Sequence, residues 1–408
     1  MAASTIWTPK RDGDREHDPI RGLDYVWRPE VAKRSVAWFG KHLTHVKGPD
    51  AGKPLIFAPW QADFLGALYG WRVLGHEELR RYRRGFLEVS RGNGKSTQSA
   101  AIGLKGLVGD GKPAPMVIGA ATDRESAAIV FGDAARMVRA NPNLTARLKV
   151  IDSTKRILRR NALAGRYLVI SSEAHRAHGY HPDLVIFDEL HTQPDRDLWD
   201  VLSTSQINLD DALMFAITTA GFDRTSICWQ VHEAALRACE DRALAPDLLA
   251  AISAADDGDD IESPKVMLKA NPNLGISVLQ SNLMAELEKA KRDPAYMNTV
   301  MRLHYNIWTE QDGRWMPMKE WDACAGIVDE LSLANRRCYM GLDLAQVNDL
   351  TALAILFPPE DRDSGVYDVL MRFYAPESVL AGRTDYQVWR DRGLLTVTPG
   401  NATNYAFV

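Results

Sequence analysis

The sequence predicts an α/β fold built on a doubly wound, mostly parallel sheet. From Phe86 to about Ser253, short runs of consecutive apolar residues alternate with segments of helical periodicity. Continuous apolar runs are typical of strands that helices cover on both faces of a parallel sheet. The length of 408 residues exceeds one ordinary domain, so we expect two or three. A charged fraction of 25% beside a hydrophobic fraction of 46% is typical of a soluble globular protein and argues against wholesale disorder.

The strands of this sheet are predicted wherever such an apolar run occurs. They lie at residues 86–89, 116–120, 167–170, 184–187, 213–218 and 248–252. An amphipathic helix is predicted upstream, at residues 30–43, because its apolar residues recur near helical spacing. The polar, unpatterned segment before about Arg21 is expected to be disordered. Residues 1–253 are therefore predicted to form a helical lead-in and the sheet domain.

An acidic run, AADDGDDIESP at residues 254–264, marks a predicted domain boundary, because such a segment cannot bury itself. Helical patterns at residues 279–291 and 294–305 then predict a linker or helical subdomain over residues 254–330. Strand patterns at residues 337–344, 352–357 and 366–373 indicate a second, antiparallel sheet within residues 331–408.

Charge and cysteine content limit the possible partners. A net charge of -4 excludes a uniformly basic nucleic-acid coat but leaves room for a local basic face. The runs RRYRR at 80–84 and TKRILRR at 154–160 either bind DNA phosphates or form solvated faces.

The four cysteines are sparse and form no CxxC pair, so we expect reduced thiols without disulfide or structural zinc. Lacking a signal-peptide core and any apolar run of roughly 20 residues, the chain is expected to be soluble and intracellular.

The segment FLEVSRGNGKST has the strand, glycine-containing loop and helix start of a phosphate-binding loop. Backbone N–H groups of the loop and of the helix N-terminus point at phosphates in such loops. Lys95 would neutralise phosphate charge, and the Ser96 hydroxyl would ligate Mg²⁺. Val89 stands where the strict pattern has its first glycine. Taken alone, the segment is equally compatible with a tight turn made by Gly92 and Gly94.

The segment DLVIFDELH places Asp188 and Glu189 at the carboxyl end of a predicted buried strand. Asp188 is suited to hold magnesium, usually through water, and Glu189 to polarise an attacking water. By itself the segment better fits a buried strand that ends in two solvated acids. Its position downstream of a phosphate loop in one α/β segment favours a nucleotide hydrolase, with both groups facing one pocket at neighbouring strand tips.

Two further segments carry polar residues that suit a nucleotide site. AITTAG places Thr218 and Thr219 at a strand end, where they would sense the γ-phosphate or simply close the strand in a glycine turn. FAPWQ supplies Trp60 and Gln61, an aromatic face and an amide suited to an adenine edge. A core tryptophan at a helix start explains the second segment equally well.

In this order, FAPWQ, SRGNGKST, LVIFDELH and ITTAG resemble the large terminase subunit of tailed bacteriophages. The similarity continues through ATDRESA, KANPNLGISV, YNIWTE and GLDLAQVNDLTAL, and it spans nearly the whole chain. The family's phosphate loop commonly replaces the first glycine and carries an arginine, so Val89 and Arg91 fit the resemblance.

The resemblance implies an ASCE-type P-loop ATPase that uses ATP and Mg²⁺ in the host bacterial cytoplasm. Such a motor docks on the portal protein of an empty capsid, translocates double-stranded DNA inward and cuts the concatemer. The small terminase subunit and a homo-oligomeric ring on the portal are the other implied partners. A helicase-like translocase of another process and a defective prophage remnant that only binds DNA or partner proteins are the alternatives.

Matching to the family assigns roles to residues of this chain. Gln61 would contact adenine, Glu189 the attacking water, and Thr218 with Thr219 would form a coupling element. The nucleotide and its metal would be bound by the loop, the helix start and the first acid, namely Gly92, Asn93, Gly94, Lys95, Ser96, Thr97 and Asp188. Arg91 is the candidate for an arginine that stabilises the transition state within the subunit. Arg124 and Arg224 are alternatives that would act on a neighbouring subunit.

The resemblance also implies an RNase H-like nuclease domain, in which acidic side chains hold two divalent ions. Asp343, after the strand CYMGLD, matches the first of these Mg²⁺ or Mn²⁺ ligands. The next ligands are expected beyond Val408, so the domain is interpreted as partial, with little or no cleavage activity. Asp349 is either a substitute ligand or a residue of the turn VNDLT.

Overall fold

The computed structural model describes residues 12–160, 164–171, 179–309, 318–345, 350–359, 365–380, 383–403 and 405–407. The chain divides into two compact units, Met1–Trp315 and Met316–Val408. The predicted boundaries at 253/254 and 330/331 remain predictions. Among helices within the described ranges, none combines the length and apolar character needed to cross a bilayer. Cys228, Cys239, Cys324 and Cys338, all within the described residues, are not paired in disulfides.

The first unit begins with a small antiparallel sheet and two helices. Its strands, in spatial order, are β1 (Arg15–Asp18), β2 (Leu23–Trp27), β3 (Trp71–Val73) and β4 (His76–Arg80). The helices are α1 (Pro29–His42) and α2 (Pro59–Gly70), so the predicted helix at 30–43 is confirmed. The expectation of disorder up to Arg21 is wrong from residue 12 onward. The Tyr25 hydroxyl donates to Asp18 Oδ2 at 2.8 Å, a cross-strand contact that a polar sequence pattern does not reveal.

The main sheet of the first unit follows. Its strands are β5 (Arg84–Glu88), β6 (Met116–Ala121), β7 (Leu148–Ile151), β8 (Arg156–Arg159), β9 (Arg166–Ser171), β10 (Leu184–Asp188), β11 (Leu213–Thr218) and β12 (Leu248–Ile252). Within the described residues the spatial order is β12-β5-β11-β10-β6-β9-β8-β7. Pairing is parallel from β12 through β9, and β8 and β7 pair antiparallel at one edge. The predicted mostly parallel sheet is confirmed.

Helices cover both faces of this sheet, as the continuous apolar strands predict. They are α3 (Lys95–Val108), α4 (Arg124–Ala140), α5 (Pro142–Arg147), α6 (Asp197–Thr204) and α7 (Ile227–Glu240), with 3-10 turns at Leu190–Thr192 and Arg242–Leu244. One core joins α3 and α4 to the sheet through residues such as Leu104 and Phe131. The opposite core joins α6 and α7 through residues such as Leu202 and Ala235.

A helical layer completes the first unit. It consists of α8 (Pro264–Ala270), α9 (Gln280–Arg292) and α10 (Pro294–Tyr305). The bounds of α9 and α10 are close to those that the sequence predicts, whereas α8 was not predicted. The small core of the layer is built by Met267, Leu283, Leu287 and Val300. Because this core is small, other contacts must hold the layer on the sheet, and several of these involve the phosphate loop, as shown below.

The second unit has a mixed sheet. Its elements are α11 (Met318–Ala323), β13 (Tyr339–Asp343), β14 (Thr351–Phe357), β15 (Asp368–Pro376), α12 (Glu377–Leu380), α13 (Thr384–Asp391), β16 (Thr396–Thr398) and a 3-10 turn at Tyr405–Phe407. In the described residues the order is β13-β14-β15-β16. The predicted antiparallel pairing is confirmed for β13 to β15, whereas β16 joins in parallel.

Two arginines of the run at 80–84 are buried in contacts within the first unit. Arg80 is buried, and its Nε donates to Asp211 Oδ1 at 2.9 Å. Arg81 is also buried, and its Nη1 lies 2.5 Å from Glu16 Oε2. Neither guanidinium is available to grip DNA phosphates, so that interpretation of the run is wrong for these two residues.

Candidate functional site

The carboxyl ends of three neighbouring strands bring the predicted site residues together. β11 lies between β5, which leads into the phosphate loop, and β10, which ends at Asp188. Lys95 and the acidic pair are therefore one strand apart rather than at neighbouring tips. The intervening tip carries Thr218 and Thr219, which places these threonines between the two. An apolar strand pattern cannot show this order, because it records which segments are strands and not which strands pair.

The phosphate loop is shaped to receive an anion. Gly92 has a φ of 86° and Gly94 a φ of 81°, a left-handed backbone that glycine adopts without strain. No side chain caps the N-terminus of α3, and its first helical hydrogen bond runs from Gln98 N to Gly94 O. The N–H groups of the first helical turn thus have no intrahelical acceptor and point outward at the positive end of the helix dipole. Ser96 and Thr97 follow in this turn and are half-buried.

The Lys95 ammonium lies at the centre of the site, with only 6% of the residue exposed. Its Nζ donates to Val89 O at 3.0 Å and to Thr219 Oγ1 at 2.5 Å. It also lies 3.6 Å from Glu189 Oε1. Burial lowers the pKa of Lys95, and the negative charges of Glu189 and Asp188 oppose that effect. Lys95, Thr219 and Glu189 are therefore brought together, although their positions in the sequence are far apart.

The pKa values of the two adjacent acids are shifted in opposite directions. Burial, reinforced by the neighbouring Glu189 charge, raises the pKa of Asp188 to about 7. Burial acts in the same direction on Glu189, but interactions with His191 and Lys95 outweigh it and lower the pKa of Glu189 to about 2. Glu189 also has a φ of 50°, left-handed backbone that is uncommon for a non-glycine residue. Such backbone strain concentrates at functional sites.

His191 and Ser99 belong to the site although the sequence analysis did not single them out. His191 Nδ1 lies 3.3 Å from Glu189 Oε2 and 3.0 Å from Thr218 Oγ1, so its ring bridges the acid and the threonine strand tip. The Ser99 hydroxyl donates to Asp188 Oδ1 at 3.4 Å. The available signal was the position of His191 two residues after Glu189 and of Ser99 one helical turn after Ser96.

Gln61 and Trp60 lie beside the phosphate loop at the start of α2. Gln61 is buried, and its Nε2 donates to Asn93 O at 3.3 Å and to Gln98 Oε1 at 3.2 Å. Trp60 Nε1 donates to Asn273 Oδ1 at 2.7 Å. Gln61 thus contacts the loop directly, and Trp60 contacts Asn273, which in turn bonds Asn93 of the loop. A contact of either side chain with adenine remains a prediction.

The helical layer makes hydrogen bonds with the phosphate loop. No sequence motif indicated these contacts. The Ser90 hydroxyl donates to Ala270 O at 2.9 Å. Asn273 N donates to Asn93 Oδ1 at 3.0 Å. On the far side of the loop, Arg91 N donates to Leu303 O at 2.8 Å. The loop conformation therefore depends on residues that follow it by about two hundred positions.

Arg91, Arg124 and Arg224 were the predicted candidates for a transition-state arginine. The Arg91 side chain is exposed at the loop. The Arg224 guanidinium lies over the Trp229 ring, 5.0 Å from its centroid. Arg124 begins α4, and its side chain lies outside the described part of the chain. The role of each as a transition-state arginine remains a prediction.

In the second unit, Asp343 ends β13 and is exposed. It stands opposite Ala352 of β14 in the antiparallel register. Asp349 falls outside the described residues. Across the residues that the structure describes, no group of three or more His, Cys, Asp or Glu side chains is arranged to hold a metal ion.

The site in the first unit fits a nucleotide with a divalent cation. Glu189 Oε2 is buried and makes no geometrically complete hydrogen bond with the described residues, although His191 Nδ1 lies 3.3 Å away, so it can accept a further polar contact. A partly buried carboxyl with a raised pKa, as at Asp188, is a group that a cation would stabilise in its charged form. Lysine, uncapped helix N-terminus and acidic pair together define the class of P-loop nucleotide hydrolases.

Family comparisons agree with this class. A family model for the terminase large subunit ATPase domain matches residues 59–237, and one for the terminase large subunit endonuclease domain matches residues 249–408. The large terminase subunit of Enterobacteria phage HK97 is 30% identical over 385 residues, which cover 92% of this chain and 72% of that protein. Protein YmfN of Escherichia coli (strain K12) is 28% identical over 245 residues, covering 56% of this chain and 53% of that protein.

The crystal structure of the HK97 large terminase superposes with a TM-score of 0.59 at 29% identity, covering 92% of this chain and 75% of that one. The chain belongs to the large terminase subunit family. It is an ATPase with a nuclease domain, and its function is that of the ATP-driven motor of phage DNA packaging. The expectation that nuclease activity is absent is not supported, because the endonuclease model extends to residue 408.

Proposed function

We propose that ATP is hydrolysed where β5, β11 and β10 end, by the residues that surround Lys95. The observation that carries the proposal is the approach of Lys95 Nζ to Thr219 Oγ1 at 2.5 Å and to Glu189 Oε1 at 3.6 Å. One ammonium thus contacts both the predicted sensor and the predicted base. Gly92, Asn93, Gly94, Lys95, Ser96 and Thr97 bind the phosphates in this proposal. Gln61 contacts adenine.

Ser96 and Asp188 would hold Mg²⁺, which supplies charge neutralisation to the phosphates when it is bound. The Ser96 hydroxyl offers a neutral oxygen from the first turn of α3. Asp188 offers a partly buried carboxylate, and losing its proton is favoured by a nearby cation. Binding of Mg²⁺ is therefore expected to favour the deprotonated form of Asp188.

Glu189 orients the attacking water and accepts its proton. In this structure the Lys95 ammonium helps to keep the pKa of Glu189 low, so the carboxylate is a weak base. ATP phosphates would draw the ammonium away, because they carry more negative charge than one carboxylate. The basicity of Glu189 would then rise when substrate is present. Such a change restricts proton abstraction to the loaded site.

Thr218 and Thr219 couple loss of the γ-phosphate to movement of the domain. Thr219 accepts from Lys95, and Thr218 contacts His191, so each threonine contacts a different side of the pocket. Arg91, exposed on the loop, stabilises transition-state charge. The partners in this proposal are double-stranded DNA, the portal protein, the small terminase subunit and further copies of this chain in a ring.

ATPase assays with two variants test the proposal. Lys95→Ala and Glu189→Gln should each reduce kcat by about a hundredfold or more, because each removes a group that acts on the transition state. Lys149→Ala and Glu240→Gln change exposed residues of the same types and should keep wild-type rates. Equal ATPase rates in all five proteins would refute the assignment. A remnant that only binds partners would show no activity for either change to remove.

The DNA substrate separates a packaging motor from a helicase-like translocase. Stimulation by blunt duplex DNA without strand separation supports packaging, whereas ATP-dependent unwinding of a forked duplex supports the alternative. Both assays use the same wild-type protein, with Glu189→Gln as the inactive control.

We propose that Asp343 binds Mg²⁺ or Mn²⁺ in the nuclease domain. It is an exposed carboxylate at a strand end, a position from which it can reach a metal-bound phosphate. Plasmid DNA incubated with the protein and Mn²⁺ should be cut, and Asp343→Ala should abolish cutting. Asp391→Ala, another exposed aspartate of this unit, should cut normally. Cutting that survives Asp343→Ala would exclude the residue from the site.

A further inference from the structure

A buried carboxyl group ends the strand that precedes the phosphate loop and has no part in the mechanism above. Glu88, the last residue of β5, has no exposed surface. Its Oε2 lies 2.9 Å from His232 Nδ1, and its Oε1 accepts from Trp308 Nε1 at 3.2 Å. A carboxyl group in an apolar sheet costs folding free energy unless such partners satisfy it. The partners are themselves buried or nearly so, which indicates a built polar network.

Asn306 connects this network to two other strands. Its Nδ2 donates to Ser253 O, after β12, at 2.8 Å and lies 3.5 Å from Glu88 Oε1. Its Oδ1 accepts from Ala220 N, after β11, at 2.7 Å. One amide therefore joins the ends of β5, β11 and β12. Asn306 is 1% exposed and has a φ of 58°, a left-handed backbone that asparagine tolerates better than most residues.

Trp308, two residues after Asn306, contacts the same loop after β11. It packs on Gly221, where an added Cβ would stand 2.9 Å from the Trp308 ring, so only glycine allows this approach. The loop of residues 219–221 is thus held from one side by residues 306–308. From the other side, Thr219 Oγ1 accepts from Lys95. The position of Thr219 in the pocket is consequently fixed by residues 306–308 and by Lys95.

We propose that Asn306 is a positioning residue for ATP hydrolysis, acting through the Ala220 N–H group to hold Thr219 against the nucleotide pocket. The inference rests on the proposed function of the Lys95 site. Asn306 contacts neither Lys95 nor the acidic pair, so its effect must pass through the loop. Residues 306–308 follow α10, and Leu303 O of α10 accepts a hydrogen bond from Arg91 N. The segment is therefore linked both to the phosphate loop and to the loop of residues 219–221.

Two substitutions at this position separate positioning from simple stability. Asn306→Asp keeps the acceptor for Ala220 N–H but places a second carboxyl beside Glu88. Asn306→Gly keeps the left-handed backbone but removes every side-chain hydrogen bond. The positioning proposal predicts that kcat per bound nucleotide falls about tenfold in Asn306→Gly and less in Asn306→Asp. A structural role alone predicts the opposite order, because a buried pair of like charges is the more destabilising change.

The experiment measures kcat, the KM for ATP, the number of sites that bind a fluorescent ATP analogue, and the melting temperature. Dividing kcat by binding sites removes any effect of unfolded protein. The KM is expected to stay within about twofold, since the phosphate-binding groups are unchanged. Asn335→Gly is the matched control, because Asn335 has a φ of 68° and is exposed in the second unit.

The inference is overturned if both variants keep the wild-type kcat per bound nucleotide, or if activity follows melting temperature with Asn306→Asp the less active. Failure of the proposed function gives a different result. In that case wild-type ATPase activity would be absent or would survive Lys95→Ala, and the inference would be withdrawn with it.

Discussion

Asn93 of the phosphate loop donates its Nδ2 to Asn271 Oδ1 at 3.2 Å, across a separation of 178 positions. Asn271 in turn donates to His304 O at 2.8 Å, so it also anchors the end of α10. Both asparagines have no exposed surface. The phosphate loop is therefore shaped by a segment that the endonuclease family model covers, although this segment packs within the same compact unit as the ATPase sheet.

Asn271→Ala is expected to raise the KM for ATP about tenfold, because it removes contacts that fix the loop before phosphate binds. A lost buried hydrogen bond of this kind costs about 1–3 kcal/mol. Steady-state ATPase kinetics measure the change. Asn282→Ala, at an exposed site in α9, is the control and should leave the KM unaltered. An unchanged KM in Asn271→Ala would show that the loop forms without this contact.

His191→Ala should alter the pH dependence of ATP hydrolysis. Burial raises the pKa of Glu189, and the His191 side chain is among the groups that oppose burial and bring that pKa to about 2. Removing His191 raises the pKa, so Glu189 becomes protonated as the pH falls and the acid limb of kcat moves to higher pH. Rates measured from pH 5 to 9 test this. His76→Ala, an exposed histidine of β4, should reproduce the wild-type profile, and so should His191→Ala if the idea is wrong.

Asp188→Asn should stabilise the metal-free protein while it abolishes ATPase activity. Burial and the Glu189 charge raise the pKa of Asp188 to about 7, so ionisation of this group costs stability as pH rises from roughly 4 toward 7. Asparagine does not ionise, so the substituted protein does not lose this stability. The expected gain is up to about 4 kcal/mol at pH 8, because each pH unit by which the pKa is raised costs about 1.4 kcal/mol, and it is close to zero at pH 4. Melting temperatures in EDTA measure it, and a loss of stability at pH 8 would contradict the assignment.

Asp211→Asn should destabilise the first unit without a direct effect on DNA binding. Burial raises the pKa of Asp211, but Arg80 outweighs burial and the net pKa is lowered. A lowered pKa gives stability that is present above roughly pH 4 and lost as pH falls through the folded value. Breaking this buried pair is expected to cost about 3 kcal/mol.

Thermal unfolding at pH 7 measures that change. Asp200→Asn breaks an exposed pair with Arg196 and should cost less than about 0.5 kcal/mol. Equal effects of the two substitutions would mean that burial of the Arg80 pair contributes nothing to its strength.

The sequence alone determined the parallel strands of the main sheet, because a buried parallel strand must be apolar on both faces. Leu213–Thr218 and Leu248–Ile252 have the predicted bounds. The chemistry at strand ends was also readable, since Lys95, Asp188 and Glu189 follow apolar runs in a fixed order. The strands at Arg15–Asp18 and Leu23–Trp27 were not predicted, because short antiparallel strands with polar residues carry no such pattern.

Only the tertiary structure decided which strands are neighbours and which distant side chains meet. It placed β11 between Lys95 and the acids, set His191 against Thr218, and brought Asn306 against the Ala220 N–H group. These contacts join residues far apart in the chain, and local sequence patterns record periodicity within a segment rather than proximity between segments. Hydrogen bonds to buried backbone groups, such as Ala220 N–H, depend on the packed arrangement of the sheet, so they exist only once the chain has folded.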